Sequence, residues 1–120
     1  MIKTQGLTHI QLTVRDVNRS LKFYQGVFGM EVQYWHGSKM VFLRTPGAKD
    51  TITLAQAGKG SAIAGGGVVH FGFRRAESQS LDEAIRAVVA AGGKFIERGE
   101  HAPGRPYAYV ADLDGYTIEL

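Results

Sequence analysis

The sequence contains no cysteine. Disulfides, thiolate metal sites and cysteine nucleophiles are therefore excluded, while the redox compartment stays open. No apolar run approaches the roughly 18–20 residues that a membrane span needs, so no membrane partner is expected. The first six residues, Met1 to Gly6, lack the apolar stretch of a signal peptide, and a cytoplasmic location is the expectation. Basic charge is also sparse. Fourteen Lys and Arg against 11 Asp and Glu leave a net charge of +3, and Arg74-Arg75 is the one adjacent basic pair. No basic cluster interleaves with aromatic residues, which excludes nucleic acid as the expected partner and leaves an anionic small molecule compatible. What is present is ordinary for a globular chain: 120 residues, 44% hydrophobic and 21% charged, enough for one domain with a real core. Glycine is abundant at 16 residues, which predicts many turns and close backbone approaches.

Periodicity organises the chain. Leu7 to Val14 alternates strictly, with Ile10, Leu12 and Val14 on one face and His9, Gln11 and Thr13 on the other, the mark of a half-buried strand. Asp16 then offers an N-cap to a helix carrying the stripe Val17, Leu21, Tyr24 and Phe28, and Gly29 offers its left-handed stop. Three short strands are predicted at Glu31–Trp35, Met40–Arg44 and Thr51–Ala55. Residues 58–67, rich in Gly and Ala, read as a linker. The same order then returns. Val68–Arg74 is a strand, and Ser80-Leu81-Asp82-Glu83 has capping-box spacing. Leu81, Ala84, Ile85, Val88 and Ala91 form a helix stripe ended by Gly92-Gly93. Lys94–Arg98, Tyr107–Ala111 and Tyr116–Leu120 are strands, the last two joined by a turn at Asp114-Gly115. The chain is thus a single domain of two βαβββ repeats, 7–57 and 68–120. The expected class is α+β, with curved mixed sheets around a site and helices on the outer faces.

Chemistry concentrates on the polar faces. Of four histidines, His9 and His70 hold equivalent places on the first strand of each repeat. Glu119 on the last strand points opposite to Ile118 and Leu120. Two imidazoles and one carboxylate on three strands compose a three-ligand metal site with positions left for water and substrate. From the pattern alone, structural histidines are the competing reading. His36 and His101 fall in predicted turns and read as surface residues. Tyr107 and Tyr109 share a face beside Glu119 and are candidates for substrate binding or proton donation, with core packing as the alternative. Gln11, two residues beyond His9, is a further candidate for substrate contacts, and so is Arg74, on the face of His70, with a solvated strand-end arginine as the alternative.

The doubled unit resembles the vicinal oxygen chelate superfamily, which includes glyoxalase I, extradiol dioxygenases, fosfomycin-resistance transferases and bleomycin-resistance proteins. The resemblance is carried by Leu7-Thr8-His9-Ile10-Gln11-Leu12-Thr13-Val14-Arg15-Asp16, by Ser20-Leu21-Lys22-Phe23-Tyr24 with Phe28-Gly29-Met30, by Val69-His70-Phe71, and by the segment from Tyr109 to Leu120. It implies that His9, His70 and Glu119 hold one divalent ion per site, with Fe, Mn, Zn, Ni and Co all compatible. The candidate catalytic set is Glu119 with Tyr109 and Tyr107, the two tyrosines resting on their shared strand face and not on the resemblance. Glyoxalase I has a fourth ligand where this chain has Thr53, because Ile52-Thr53-Leu54 mirrors Ile118-Glu119-Leu120. Threonine is a poor ligand beside histidines, so the resemblance favours dioxygenase-like or transferase-like chemistry on a small molecule that chelates through adjacent oxygens, with Thr53 left to contact substrate. A metal-free drug-binding protein of the bleomycin-resistance kind is the alternative. Small members of the family usually pair, which implies a homodimer with shared sites.

Overall fold

Alternation at the start of the chain produces β1, Ile10–Val14, in which Leu12 and Val14 are buried and Gln11 is exposed. The computed structural model describes all residues except Ile2, Thr4, Gly6, Thr8, Ala64, Gly65 and Val69. The expected strand positions at Thr8 and Val69, and the linker positions Ala64 and Gly65, lie outside the described residues. The chain divides into two units, Met1–Ile63 and Ala64–Leu120, each described in turn.

In the first unit, α1 spans Val17–Phe28. Asp16 caps it by accepting the Arg19 N–H at 3.0 Å, and Gly29 ends it at φ 63°, a left-handed conformation that glycine adopts without strain. Val17, Ser20, Phe23 and Tyr24 are buried, so the apolar face is wider than the predicted stripe, which lacked Phe23. The Phe23 ring meets Tyr24 and Phe28 edge-on, which draws it into the core. Strands β2 (Glu31–His36), β3 (Met40–Arg44) and β4 (Ile52–Gln56) complete a sheet of order β1-β4-β3-β2, with β1 and β4 parallel and the other pairs antiparallel. The helix packs on β3 and β4. Pairing in register sets Thr53 between Gln11 of β1 and Phe42 of β3.

The second unit repeats the plan. Strand β5 covers Phe71–Gly72, shorter than the expected Val68–Arg74. Helix α2, Leu81–Ala90, opens with both halves of the capping box: Ser80 accepts the Glu83 N–H, and the Glu83 carboxylate accepts the Ser80 N–H at 2.8 Å. Strands β6 (Lys94–Ala102), β7 (Arg105–Ala111) and β8 (Thr117–Glu119) give the order β5-β8-β7-β6, again with the first pair parallel. Gly93 is required where α2 gives way to β6. A Cβ there would lie 2.6 Å from both the Ala111 carbonyl and Val88 Cγ1. Buried Asp112 holds the β7–β8 turn by accepting the N–H groups of Asp114 and Tyr116 at 3.0 and 2.9 Å. Each unit is one helix on one face of a four-stranded mixed sheet, the α+β plan expected.

Strand β6 corrects one reading. It runs four residues past Arg98, so His101 belongs to a strand and not to a surface turn. Gly99 looks like a breaker in the sequence. In the sheet it pairs with Tyr107, whose ring lies across the space a Cβ would occupy, and the pairing continues beyond it.

Candidate metal centre

Strand β8 alternates sharply. Ile118 is fully buried on the helix side, which turns Glu119 to the opposite face. In register, Glu119 lies between Tyr109 of β7 and Gly72 of β5. His70 stands two residues before Gly72 and approaches the same face. Its Nε2 lies 3.1 Å from Glu119 Oε2. The other carboxylate oxygen, Oε1, is 2.9 Å from His101 Nε2. Tyr109 stands opposite Glu119 in register, and its phenol lies beside the carboxylate.

Four rings surround this carboxylate in a continuous series. His70 meets Tyr109 with ring centres 4.9 Å apart, Tyr109 meets Tyr107 at 5.1 Å, and Tyr107 stacks on His101 at 4.1 Å and 16°. The hydrogen bond from His101 is the main cause that holds the Glu119 carboxyl below its ordinary pKa. Partial burial opposes it, and Tyr109 and the neighbouring imidazoles add to it. Glu119 is therefore an anion at neutral pH. Desolvation, then the adjacent Glu119 charge, pushes the Tyr109 phenol upward, so it keeps its proton as a donor. A cavity of about 270 Å³, lined by His70, Ile96, Glu97, Tyr109 and Thr117, opens beside the carboxylate.

The donor set fits a divalent ion. Two ligand atoms bound at about 2.0–2.2 Å, at angles of about 90–109°, lie roughly 2.8–3.6 Å apart. The separation of 3.1 Å between His70 Nε2 and Glu119 Oε2 falls inside that range. An anionic carboxylate next to an imidazole is also the right chemistry. Among the described residues, no group of three or more His, Asp or Glu is gathered as a complete metal-holding set.

The remaining expected residues distribute as follows. His9 lies in the first unit, exposed, just ahead of β1, with its ring 6.5 Å from that of Phe42. Gln11 is exposed on β1. Thr53 is wholly buried, and among the described residues its Oγ1 has no hydrogen-bond partner. Arg74 is exposed beyond the end of β5. His70, Tyr107, Tyr109 and Glu119 are brought together. His101 joins them unforeseen; the period-two series Glu97, Gly99, His101, on the face that pairs with Tyr109 and Tyr107, is the signal that could have placed it.

Comparison with known proteins agrees with this plan. Over 120 residues the chain is 29% identical to an uncharacterized protein of Pseudomonas aeruginosa, covering 95% of this chain and 86% of that one. It is similar to the fosfomycin resistance protein FosX from Listeria monocytogenes, with a TM-score of 0.76 and 25% identity over 98% of this chain and 93% of that one. A mutant of that protein was solved with manganese(II) and 1S,2S-dihydroxypropylphosphonic acid; there the TM-score is 0.77 and the identity 28%, over 98% and 90% of the two chains. Lactoylglutathione lyase from Agrobacterium tumefaciens, at 18% identity and a TM-score of 0.70 over 97% and 92%, shares the fold. With its two βαβββ repeats and a family model matching residues 6–120, the chain belongs to the Glyoxalase/Bleomycin resistance protein/Dioxygenase superfamily.

Proposed function

We propose that this protein is a divalent-metal-dependent enzyme acting on a small molecule that presents adjacent oxygens, with His9, His70 and Glu119 as the ligands. The observation that carries the reading is the Glu119 carboxylate. It is ionised and bordered by four rings, with an imidazole nitrogen 3.1 Å from one oxygen and a cavity beside it. The manganese and dihydroxypropylphosphonate bound by the Listeria relative supply a precedent of the same ligand chemistry. A divalent ion held here would supply Lewis acidity toward charge developing on a chelated oxygen.

The chain's own residues do the rest. His70 and Glu119 fix one side of the site. The protonated Tyr109 phenol offers a hydrogen bond or a proton toward the cavity it lines. Tyr107 and the ring series flank the carboxylate, whose side chain stays 28% exposed. Arg74 and Gln11 are assigned to substrate contacts. Thr53, where a fourth acidic ligand would stand, leaves the set at three and favours dioxygenase-like or transferase-like chemistry over that of standard glyoxalase I. Assembly as a homodimer with sites shared between chains completes the proposal.

Metal analysis of the purified protein tests it. Wild type should carry close to one equivalent of a divalent ion per chain, and His9→Ala, His70→Ala and Glu119→Ala should each lose it while keeping their far-UV circular dichroism. Stoichiometric metal in Glu119→Ala would overturn the assignment. Metal-free wild type that binds a drug-like ligand unchanged after all three substitutions would establish the drug-binding alternative.

A further inference from the structure

We propose that His101 is a positioning residue: it ties one oxygen of Glu119 so that the carboxylate meets the metal through the other oxygen alone. The inference rests on the metal reading above and adds a residue to it. Three observations carry it, each from a different level of the structure.

The first is backbone. The β6–β7 register shifts between Glu100 and Ala102, so His101 is the extra residue of a bulge. Bulges re-aim a side chain without ending the strand. The second is packing. Tyr107 lies over Gly99, where a Cβ would sit 2.8 Å from its hydroxyl and 3.1 Å from its ring, so the glycine is what lets the ring lie there. His101 stacks on the same ring at 4.1 Å and 16°, which fixes the imidazole plane even though more than half of its side chain is exposed. The third is the contact itself. His101 Nε2 is 2.9 Å from Glu119 Oε1, the oxygen turned away from His70. Gly99, Tyr107, His101 and Glu119 form one line of support.

The consequence is geometric. A carboxylate with both oxygens free can rotate and chelate an ion through both, which uses a coordination position. With Oε1 held by an N–H, only Oε2 faces His70, and a position is kept for substrate. Groups that hold a ligand in this way typically affect metal affinity by about 10–100-fold when removed.

The test is metal binding, read separately from catalysis. Manganese(II) and cobalt(II) affinities are measured by calorimetric titration for wild type, His101→Ala, His101→Gln and Tyr107→Leu, with Glu119→Ala as control. His101→Ala should bind about 10–100-fold more weakly, and the visible spectrum of its cobalt form should change as Glu119 shifts to two-oxygen ligation. His101→Gln, whose amide N–H₂ reaches the same oxygen, should return to within about threefold of wild type with a wild-type spectrum. Tyr107→Leu should fall between. Unchanged affinity and spectrum in His101→Ala would overturn the proposal. A His101→Gln protein as weak as His101→Ala would overturn it too, because it would make the imidazole itself a ligand. Wild-type affinity in Glu119→Ala would instead sink the metal assignment, and this inference with it. Circular dichroism of each variant separates these results from loss of fold.

Discussion

Thr53→Val should make the protein more stable. Thr53 lies on β4, an interior strand whose backbone is paired on both sides, with Gln11 and Phe42. Its accessible surface is zero, and among the described residues its hydroxyl has no partner. A buried hydroxyl that leaves water without gaining a hydrogen bond costs about 1–3 kcal/mol. Valine keeps the β-branched shape that suits a strand and replaces the hydroxyl with a methyl group. Removing the penalty should therefore stabilise the fold by about 1–2 kcal/mol. With a urea m-value of about 2 kcal/mol/M, the midpoint should rise by about 0.5–1 M. Unfolding should be followed by far-UV circular dichroism and by the fluorescence of Trp35, the single tryptophan; coincident curves and an unchanged m would license the comparison. Destabilisation by 1 kcal/mol or more would refute the reasoning, since it would mean the hydroxyl is bonded. Substrate affinity of the same variant sorts the cause. A gain in stability with weaker binding marks Thr53 as a polar group kept for a ligand at a cost in stability, whereas a gain with unchanged binding leaves it a packing residue.

Gly93→Ala should destabilise by about 2–3 kcal/mol, because its Cβ would meet the Ala111 carbonyl and Val88 at 2.6 Å and one of them is rigid backbone; a variant with a wild-type thermal midpoint would contradict that packing. Ser80→Ala should cost about 1 kcal/mol, measured by chemical unfolding, through loss of the capping box at α2. Hydrogen bonds from the Ser80 backbone N–H and then its hydroxyl lower the Glu83 pKa from 4.5, so the folded value is below the unfolded one. Its contribution is therefore complete above about pH 4.5 and lost as the pH falls through the folded value, and the difference in thermal midpoint between wild type and Glu83→Ala should persist at pH 7 and shrink in acid below pH 4.5. Mixing His9→Ala with His70→Ala protein after subunit exchange should restore about a quarter of the wild-type metal content, since half of random dimers are mixed and half of their shared sites carry neither mutation; no recovery would mean that sites do not form across chains.

Local signals proved sufficient for most of the scaffold. Asp16 and Gly29 bracket α1 because a cap and a left-handed stop act within one turn of chain. The Ser80–Glu83 box and the Met40–Arg44 strand were legible for the same reason: each is decided by residues a few positions apart. His101 was missed although the period-two series from Glu97 reaches it, because the strand continues through Gly99 only where Tyr107 packs over it from the neighbouring strand. Read along the chain, Gly99 ends a strand; read across the sheet, it lets one continue. Burial of Thr53 was hidden too. A threonine beside the leucine and isoleucine of β4 signals a polar face, and only tertiary packing decides whether that face is wet.

The two repeats share a backbone plan and differ at the pair of facing positions next to their histidines. In the first unit Gln11 pairs in register with Thr53; in the second Gly72 pairs with Glu119. His9 and His70 each stand two residues before the first member of these pairs. Where the residue opposite is glutamine, the counterpart of the carboxylate has become an uncharged threonine. Where it is glycine, the backbone passes close to the carboxylate: a Cβ at Gly72 would lie 3.3 Å from the Glu119 carbonyl and 3.5 Å from its Cβ. A longer side chain at 72 would project on the face where His70 Nε2 and Glu119 Oε2 meet. Glycine keeps that space clear, so the carboxylate can be approached by His70 on one side and His101 on the other. On the proposed reading, both repeats supply an imidazole but only one supplies an acid. The number of ligands follows from threonine standing where the second repeat has Glu119, and the space around that carboxylate follows from glycine at 72.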